Sequence, residues 1–457
     1  MLESIRRIFS IPELKTKIVF TLLMLMVCRI GAHIPVPGIN GDLAVRLFHS
    51  ATGGSQNLFQ LMDVFSGGAF AHMTIIALGV SPYIMSSIFI QLLMAVIPSF
   101  RRDIKESPDQ GRRKMGRWIR FLTVGISFFQ AAFLAKYAVQ MNAGSPGIIV
   151  PELLDFQLFG LPWLFYLVVI STMTAGAMFL MWIGEQITEK GIGNGMSLII
   201  TLGILSSLPG MIGSIIRQLN LDSQEPGQLS FSSLVVFISV FVSIIVGTIL
   251  VIQGQRRIPL QYARRTIAGP ESQTGNAYIP LKINYAGVIP VIFASSFLMV
   301  PATIAQFVGR SSGLGSIATM LSPGTWLYTL IYVSLIIFFT YFWTATQFHP
   351  EQIASDMKKN GAFIPGVRQG KPTQDFLEST MSRITLVGAF FLAFIAILPT
   401  LVSRVLGVDP MISHFFGGTS LLILVGVVLD TTKQVESHLL VKRYDGFMRR
   451  SKSRAIL

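Results

Sequence analysis

The stretch PWLFYLVVISTMTAGAMFLMWI (162–183) contains no charged side chain. A helix needs about twenty predominantly apolar residues to cross the hydrocarbon core of a bilayer. This stretch therefore predicts a membrane-spanning α-helix. Similar apolar runs, separated by short polar segments, recur along the chain on both sides of it.

The composition also indicates a membrane protein. Hydrophobic residues make up 51% of the 457 residues, charged residues 13%, and the mean hydropathy is +0.62. A water-soluble protein of this size needs more charge to cover its surface. We therefore predict an all-α polytopic membrane protein. Its single cysteine, Cys28, excludes a disulfide framework.

We predict ten spans, the first of them retained in the mature protein. Lys15 and Lys17 precede an apolar run at 18–28 as in a signal peptide, but no small-residue cleavage site follows it. The predicted spans are 18–36, 73–97, 118–139, 162–183, 195–216, 232–253, 287–308, 326–348, 384–402 and 412–430.

The distribution of basic residues predicts the orientation. With ten spans, 29 of the 36 Lys and Arg residues fall on one side of the membrane, which is then the cytoplasmic side and carries both termini. The seven others lie on the opposite side or within spans: Arg46, Arg217, Arg310, Arg404, Arg29, Arg120 and Lys136. We expect the last three to lie near span ends, from which their charges can reach water.

The net charge of +14 also bears on partners. On a membrane protein such an excess indicates loops that face anionic lipid. The alternative is that it binds an acidic partner such as a ribosome.

The chain divides into two halves of five spans, at 1–216 and 217–434, followed by a basic cytoplasmic tail at 435–457. Because five is odd, the two halves would be inserted with opposite orientation. This is what a pseudo-symmetric inverted repeat requires, although no internal sequence repeat is apparent.

The predicted spans lack the residues that most membrane enzymes and transporters use. Asp and Glu are nearly absent from the span centres, and no His pair has metal-ligand spacing. The sequence PGVRQGKPT (365–373) fails as a phosphate loop because Pro365 replaces its first glycine. We therefore predict no enzyme, no metal and no cofactor. A solute or ion-coupled permease, which would need charged groups at mid-membrane, is the competing class.

The segment NLFQLMDVFSGG (57–68) is apolar but too short to cross a bilayer. The residues alone leave two alternatives: a helix buried inside the protein, or an amphipathic helix lying flat on the outer surface. Glycines at its end would allow it to move. After Asn57, its residues of interest are Leu58, Phe59, Leu61, Met62, Asp63, Val64, Phe65, Ser66, Gly67 and Gly68.

Motifs along nearly the whole chain resemble those of the SecY family, the central subunits of bacterial protein-conducting channels. The longest is MFLMWIGEQITEKGIGNG (178–195). The others are RIGAHIPVPGI (29–39), FSGGAF (65–70), ALGVSPYI (77–84), GRRK (111–114), GQRRIPLQYARR (254–265), AGVIPVIFASS (286–296), KKNGAFIPGVRQG (358–370) and FGGTSLLI (416–423).

The resemblance implies a channel that moves unfolded secretory polypeptides across the bacterial cytoplasmic membrane and releases membrane segments sideways into lipid. It implies that 57–68 is a re-entrant plug helix. It also implies a pore ring, whose apolar side chains would seal the idle channel by dewetting. The ring residues are Val80, Ile84, Met196, Ile200, Ile292 and Ile423. Taken singly, each would be assigned to ordinary core.

The resemblance further implies a lateral gate between spans two and three and spans seven and eight, opened by signal sequences. Gln130, Asn284 and Met85 match its polar cluster, although Met85 replaces a small polar residue. Without the resemblance, Gln130 would be expected to bond within its own bundle.

The cytoplasmic loops 254–286 and 349–383 correspond in the family to docking loops for the SecA motor or the ribosome. SecE and SecG are the implied partner subunits. The docking residues are Arg256, Arg257, Arg264, Arg265, Lys358, Lys359 and Arg368. The alternative is that these basic residues only set the topology.

Overall fold

The computed structural model describes residues 11–52, 58–97, 108–155, 157–158, 161–218, 231–262, 277–308, 325–406 and 418–454. Helices dominate these ranges. They are α1 (Pro12–Gly31), α2 (Gly41–Thr52), α3 (Leu58–Ser66), α4 (Ser81–Val96), α5 (Pro108–Gly144), α6 (Pro151–Leu154), α7 (Trp163–Lys190), α8 (Gly195–Gln218), α9 (Phe231–Gln253), α10 (Ile289–Val308), α11 (Trp326–Gln347), α12 (Pro350–Lys359), α13 (Lys371–Leu406) and α14 (Gly418–Arg454).

Each of the ten predicted apolar segments overlaps one of these helices. By length and composition, four helical stretches of the described chain could cross a membrane: Arg113–Gly144, Trp163–Lys190, Trp326–Lys359 and Lys371–Leu398. Shorter apolar helices occupy Ser81–Met94, Gly195–Gly210, Ile238–Gln253 and Ile289–Leu298. The chain is thus a membrane protein with a mainly helical fold.

The prediction of an all-α fold was wrong in detail, because three small antiparallel sheets are present. The strands are β1 (Gln157–Leu158), β2 (Leu161–Pro162), β3 (Gln255–Pro259), β4 (Gln261–Tyr262), β5 (Tyr278–Lys282) and β6 (Ala362–Phe363). They pair as β1–β2, β3–β5 and β4–β6. These strands lie in the connections between apolar helices, where a hydropathy window carries little information on local structure.

The predicted second span, 73–97, was wrong at its start. The helix begins at Ser81, and residues before it form turns. Gly79 has a left-handed backbone (φ 59°) and Pro82 stands at the first turn of α4, where a proline is favoured because its missing N–H is not needed. The irregular backbone is paired within the protein: Ile75 N donates to Ile34 O at 3.0 Å.

Several helices extend beyond their predicted spans into polar sequence, three of them by ten residues or more. Helix α5 begins at Pro108 instead of 118, α13 begins at Lys371 instead of 384, and α14 continues to Arg454, so most of the tail predicted at 435–457 is helical. Hydropathy locates where a helix leaves the apolar layer, but backbone propensity and capping decide where it ends.

The main apolar core joins the two predicted halves. It contains buried residues of α1, α7 and α8 together with residues of α9, α10, α11, α13 and α14. A second core lies wholly within the N-terminal half and involves α2, α5 and α7. Contacts between α4 and α10 and between α8 and α14 also connect the halves.

Candidate functional site

The six side chains predicted as a pore ring lie in or against the main core. Val80 immediately precedes α4 and Ile84 lies one turn into it, while the others come from the first two turns of α8, α10 and α14. Five are buried and Ile84 is half-buried: Val80, Met196, Ile200, Ile292 and Ile423 belong to one cluster, and Ile84 packs against it. Four separate helices therefore bring branched or flexible apolar side chains together.

A small cavity lies among these residues. Its volume is about 40 Å³, and Val80, Ile84, Ile200 and Ile292 line it together with Phe65. A single water needs roughly 10–15 Å³ of such space, so the cavity could hold only a few waters. Met196 and Ile423 share the cluster but are not on this cavity. The meeting point of the helices is thus narrow and mostly apolar, although Ser66, Ser81, Ser295 and Ser296 also line the cavity.

The segment predicted as a plug forms α3, whose backbone contacts α8 and α10. Val64 is 6% exposed and belongs to the main core, and Phe65 packs against that core. Met62 packs against the second core. Asn57 lies outside the described residues, as do the side chains of Leu58, Phe59 and Leu61.

The carboxyl end of α3 has a defined cap. Gly68 N donates to Asp63 O at 2.9 Å and Gly67 N donates to Val64 O at 3.2 Å, while Gly67 has φ 69°. This is the Schellman arrangement, which favours glycine at the left-handed position. The Asp63 carboxylate accepts from Ala71 N at 2.8 Å, and Phe70 N donates to Ser66 Oγ at 3.0 Å. In the structure the turn that follows α3 therefore has a defined hydrogen-bonded conformation.

Helix α3 approaches α8 closely at Gly203. A Cβ at this position would lie 2.4 Å from Phe65 O, closer than real Cβ contacts allow. Only glycine therefore permits the observed packing of the two backbones. Sequence reasoning missed this residue, because a glycine inside an apolar helix has many ordinary explanations.

Arg29, which we expected to reach water from a span end, instead turns toward α3. Its Nη1 donates to Gly67 O at 2.8 Å. The Ser206 hydroxyl of α8 lies 3.2 Å from the same oxygen and 2.7 Å from Gly203 O. The sequence signal was present, since an arginine in an apolar run needs an internal partner or a route to water, but the partner could not be identified.

The three residues predicted for a lateral gate do not form one hydrogen-bonded cluster. Gln130 Nε2 lies 3.6 Å from Met85 Sδ, and both residues belong to the N-terminal half. Asn284 Nδ2 donates to Gly287 O at 2.7 Å. The buried Gln130 Oε1 and Asn284 Oδ1 have no hydrogen-bond partner among the described residues. Helices α4 and α10, however, are in contact.

Arg120 and Glu185, one on α5 and one on α7, form an ion pair that the sequence did not predict. Arg120 Nε and Nη2 donate to the two carboxylate oxygens of Glu185 at 3.0 and 2.8 Å. The Arg120 side chain is 52% exposed, so solvent weakens the pair. Bidentate geometry nevertheless fixes how α5 and α7 meet.

The two predicted docking loops form one small subdomain. Strand β4 of the first loop pairs with β6 of the second, with Gln261 opposite Phe363. The apolar core below them consists of Ile258, Leu281, Phe348, Met357, Ala362, Ile364, Leu377 and Met381. Tyr285 lies at its edge against Phe348, and burial raises the pKa of its phenol.

The basic residues of this subdomain are on its surface. Arg256, Arg257, Lys358, Lys359 and Arg368 are exposed, whereas Arg264 and Arg265 lie outside the described residues. The Arg257 guanidinium lies 4.8 Å from the ring centroid of Tyr278, within cation–π range. A second contact holds the other loop, where Thr373 Oγ1 donates to Arg368 O at 2.7 Å.

Within the described ranges, no cluster of three or more His, Cys, Asp or Glu side chains could hold a metal ion.

Comparison with known proteins gives consistent matches. The SecY family model matches residues 74–432. The protein translocase subunit SecY of Chlamydia trachomatis is 58% identical over 452 residues, which cover 99% of each chain. The subunit of the same name from Aquifex aeolicus is 41% identical over 450 residues, covering 98% of this chain and all of that one.

Solved structures share the fold. A structure described as a protein conducting channel superposes with a TM-score of 0.61 at 21% identity, covering 92% of this chain and 91% of that one. The same coverage holds for a structure in which the plug domain of SecY is reported to stabilise the closed state, with a TM-score of 0.60 at 20% identity. It also holds for Sec61 in the canine ribosome-channel complex, with a TM-score of 0.59 at 19% identity.

Proposed function

The chain belongs to the SecY family and is a protein-conducting channel subunit, and from this premise we propose how it works. Helices from both halves surround a pathway for unfolded polypeptides, which an apolar ring closes at its narrowest point. Helix α3 is the plug that covers this ring when no substrate is present. A signal sequence opens the pathway and also parts the halves sideways toward lipid.

The contact between α3 and the ring carries this proposal. Phe65 of α3 lines the same cavity of about 40 Å³ as Val80, Ile200 and Ile292. A helix lying flat on the membrane surface, the alternative from sequence, would leave Val64 accessible, whereas Val64 is buried. An apolar constriction of this size excludes hydrated ions because ions cannot shed their water there.

The membrane arrangement follows from the charge distribution. We propose ten spans, formed by α1, α4, α5, α7, α8, α9, α10, α11, α13 and α14, in two inverted halves. Both termini are cytoplasmic and the membrane is the bacterial cytoplasmic membrane. The bias of basic residues toward one side supports the orientation.

The lateral gate lies at the contact of α4 with α10. Its polar members are Gln130 and Asn284, whose carbonyl oxygens lack partners among the described residues and are therefore costly while buried. Met85 Sδ lies 3.6 Å from Gln130 Nε2. Because a thioether is a poor hydrogen-bond acceptor, this contact stabilises the polar cluster less than a small polar side chain at position 85 would.

The subdomain built from the two cytoplasmic loops is the docking surface for a motor or a ribosome. Arg368 stands at its exposed tip, and the shared core of both loops holds the basic side chains in a fixed arrangement. SecA is the proposed motor, and SecE and SecG the proposed subunits. The likeness to the channel of a ribosome complex supports the ribosome as a second partner.

This chain is not a permease, and it contributes no catalytic step. Its relatives are named as translocase subunits over nearly their whole length. The substrate is the polypeptide itself, and the energy for its movement comes from the motor, from chain elongation or from the proton gradient.

Cross-linking of an arrested polypeptide tests the pathway. A secretory polypeptide is arrested in transit with one cysteine at its middle, and single cysteines replace Ile200 or Ile292 in the channel. Every variant also carries Cys28→Ala, because the native thiol lines a cavity beside Phe65 of α3 and would lose this cover when α3 leaves. We expect disulfides between the polypeptide and both ring positions, because the polypeptide must pass through the constriction.

The matched control is Leu250→Cys on α9, a position that is 66% exposed on the outside of the helix bundle. It should not cross-link to the arrested polypeptide. Equal cross-linking at Leu250 and at the ring, or none at the ring while the polypeptide remains arrested, would contradict the proposed pathway.

A further inference from the structure

The last turn of α1 carries a charged side chain among apolar neighbours. Arg29 is half-buried, and its Nη1 donates to Gly67 O at 2.8 Å across 38 residues of sequence. A guanidinium within a membrane-spanning helix is costly unless the protein provides a partner or it reaches water. Here the partner is a backbone carbonyl at the end of α3.

The cap of α3 makes this carbonyl a good acceptor. The Schellman turn directs the N–H groups of Gly67 and Gly68 back into the helix, to Val64 O and Asp63 O. The carboxyl end of a helix carries partial negative charge, which a nearby cation stabilises. Arg29 therefore supplies both a charge-assisted hydrogen bond and compensation for the helix dipole.

Ser206 contributes a second, weaker interaction. Its hydroxyl has one proton and two acceptors, Gly203 O at 2.7 Å and Gly67 O at 3.2 Å. The shorter distance makes the bond within α8 the stronger of the two, and the contact with Gly67 O the weaker. Of the two side chains that contact Gly67 O, Arg29 is therefore the stronger donor.

We propose that Arg29 is a positioning residue that holds the plug in place by binding Gly67 O, with Ser206 as the weaker second donor. This inference rests on the proposed function, in which α3 is the plug. Because the bond must break when α3 leaves, its strength adds to the free energy of opening. Arg29 therefore sets how strongly a signal sequence must bind to open the channel.

Idle permeability tests the inference. The full-length protein, purified with the subunits that accompany it, is reconstituted into phosphatidylethanolamine and phosphatidylglycerol vesicles, and halide flux is measured without substrate. We expect Arg29→Met to raise the flux roughly tenfold or more, since a charged hydrogen bond is lost. Arg29→Lys should give an intermediate flux because it keeps the charge, and Ser206→Ala an increase of about twofold.

Two matched controls separate the bond from general effects of substitution. Arg46→Met removes an exposed arginine on α2, and Ser207→Ala removes a hydroxyl that donates to Ile204 O within α8. Both should keep the wild-type flux. Export of a reporter with a weakened signal sequence is the second readout: Arg29→Met should raise it, whereas damage to the fold would lower it.

Deletion of Leu58–Ser66 distinguishes failure of this inference from failure of the proposed function. If the deletion leaks but Arg29→Met has wild-type flux and wild-type signal stringency, the role of Arg29 is wrong and the plug stands. If the deletion itself does not leak, the plug assignment is wrong. Should Arg29→Met not accumulate in the membrane, wild-type flux in both Arg29→Lys and Ser206→Ala would overturn the inference.

Discussion

At the scale of single residues, Gly203 shows how one missing side chain positions a whole helix. Its Cα faces the backbone of Phe65, and an added Cβ would lie 2.4 Å from the Phe65 carbonyl oxygen. Residue type alone could not identify this role, since glycine is common in membrane helices. The same is true of the ring: an isoleucine at 200 or 292 looks like core until the fold brings the two together.

Gly203→Ala should increase the fraction of molecules in which α3 has left its position. Overpacking of this kind costs about 1–3 kcal/mol, so the fraction of channels with a displaced plug should rise roughly tenfold or more. Single-channel recording in planar bilayers without substrate measures this as more frequent opening. Gly210→Ala, on the same helix, is the control, because an added Cβ at this position would have no neighbour within 4 Å. Equal opening frequencies for the two variants would refute the close-packing argument.

Arg368→Glu should impair motor-driven export while the variant protein still inserts into the membrane normally. Arg368 is exposed in the loop between β6 and α13, so reversing its charge should weaken the proposed docking of an acidic partner and slow export by about tenfold. Translocation of a preprotein into inverted vesicles measures the rate. Lys371→Glu, three residues away and also exposed, makes the same charge change. A comparable loss in that variant would assign the effect to net charge instead of to Arg368.

At the scale of elements, the two predicted docking loops differ most from what the sequence predicts. The Pro and Gly residues around 361–370 indicate a shaped loop, but the pairing of β4 with β6 joins residues about a hundred positions apart along the chain. Such pairs are set by tertiary packing, which periodicity within one segment does not report. The apolar spans were predictable for the opposite reason, since each satisfies its own backbone and needs no distant partner.

The shared core of this subdomain makes a prediction of its own. Leu377 is fully buried there, so Leu377→Ala should destabilise the subdomain by about 2–5 kcal/mol. Both loops should then be cut faster by trypsin, including at Arg256 and Arg257 in the loop that does not contain the substitution. Leu386→Ala, at an exposed position on the same helix α13, is the control. Faster cleavage confined to the second loop would mean that the loops fold independently.

At the scale of the whole molecule, contacts between the halves join them at several points. Helix α4 meets α10, and Gly193 N donates to Gln434 Oε1 at 2.9 Å between the α7–α8 turn and α14. An opening that parts the first contact can keep the second, because the two involve different pairs of helices. The sequence predicted two halves from the count of spans alone, but which helices face each other across them depends on packing that no hydropathy pattern contains.

The orientation of the chain in the membrane is the last prediction, and single cysteines at exposed positions can test it. If both termini are cytoplasmic, Arg46 on α2 faces outward, whereas Arg256 and Lys359 face the cytoplasm. All three side chains are exposed, and the native Cys28 is buried and should remain silent. In intact cells a membrane-impermeant maleimide should label Arg46→Cys only, and in inverted vesicles it should label Arg256→Cys and Lys359→Cys only. Labelling of positions 46 and 256 from the same side would require an even number of spans between them and would contradict the proposed arrangement, which places five there: α4, α5, α7, α8 and α9.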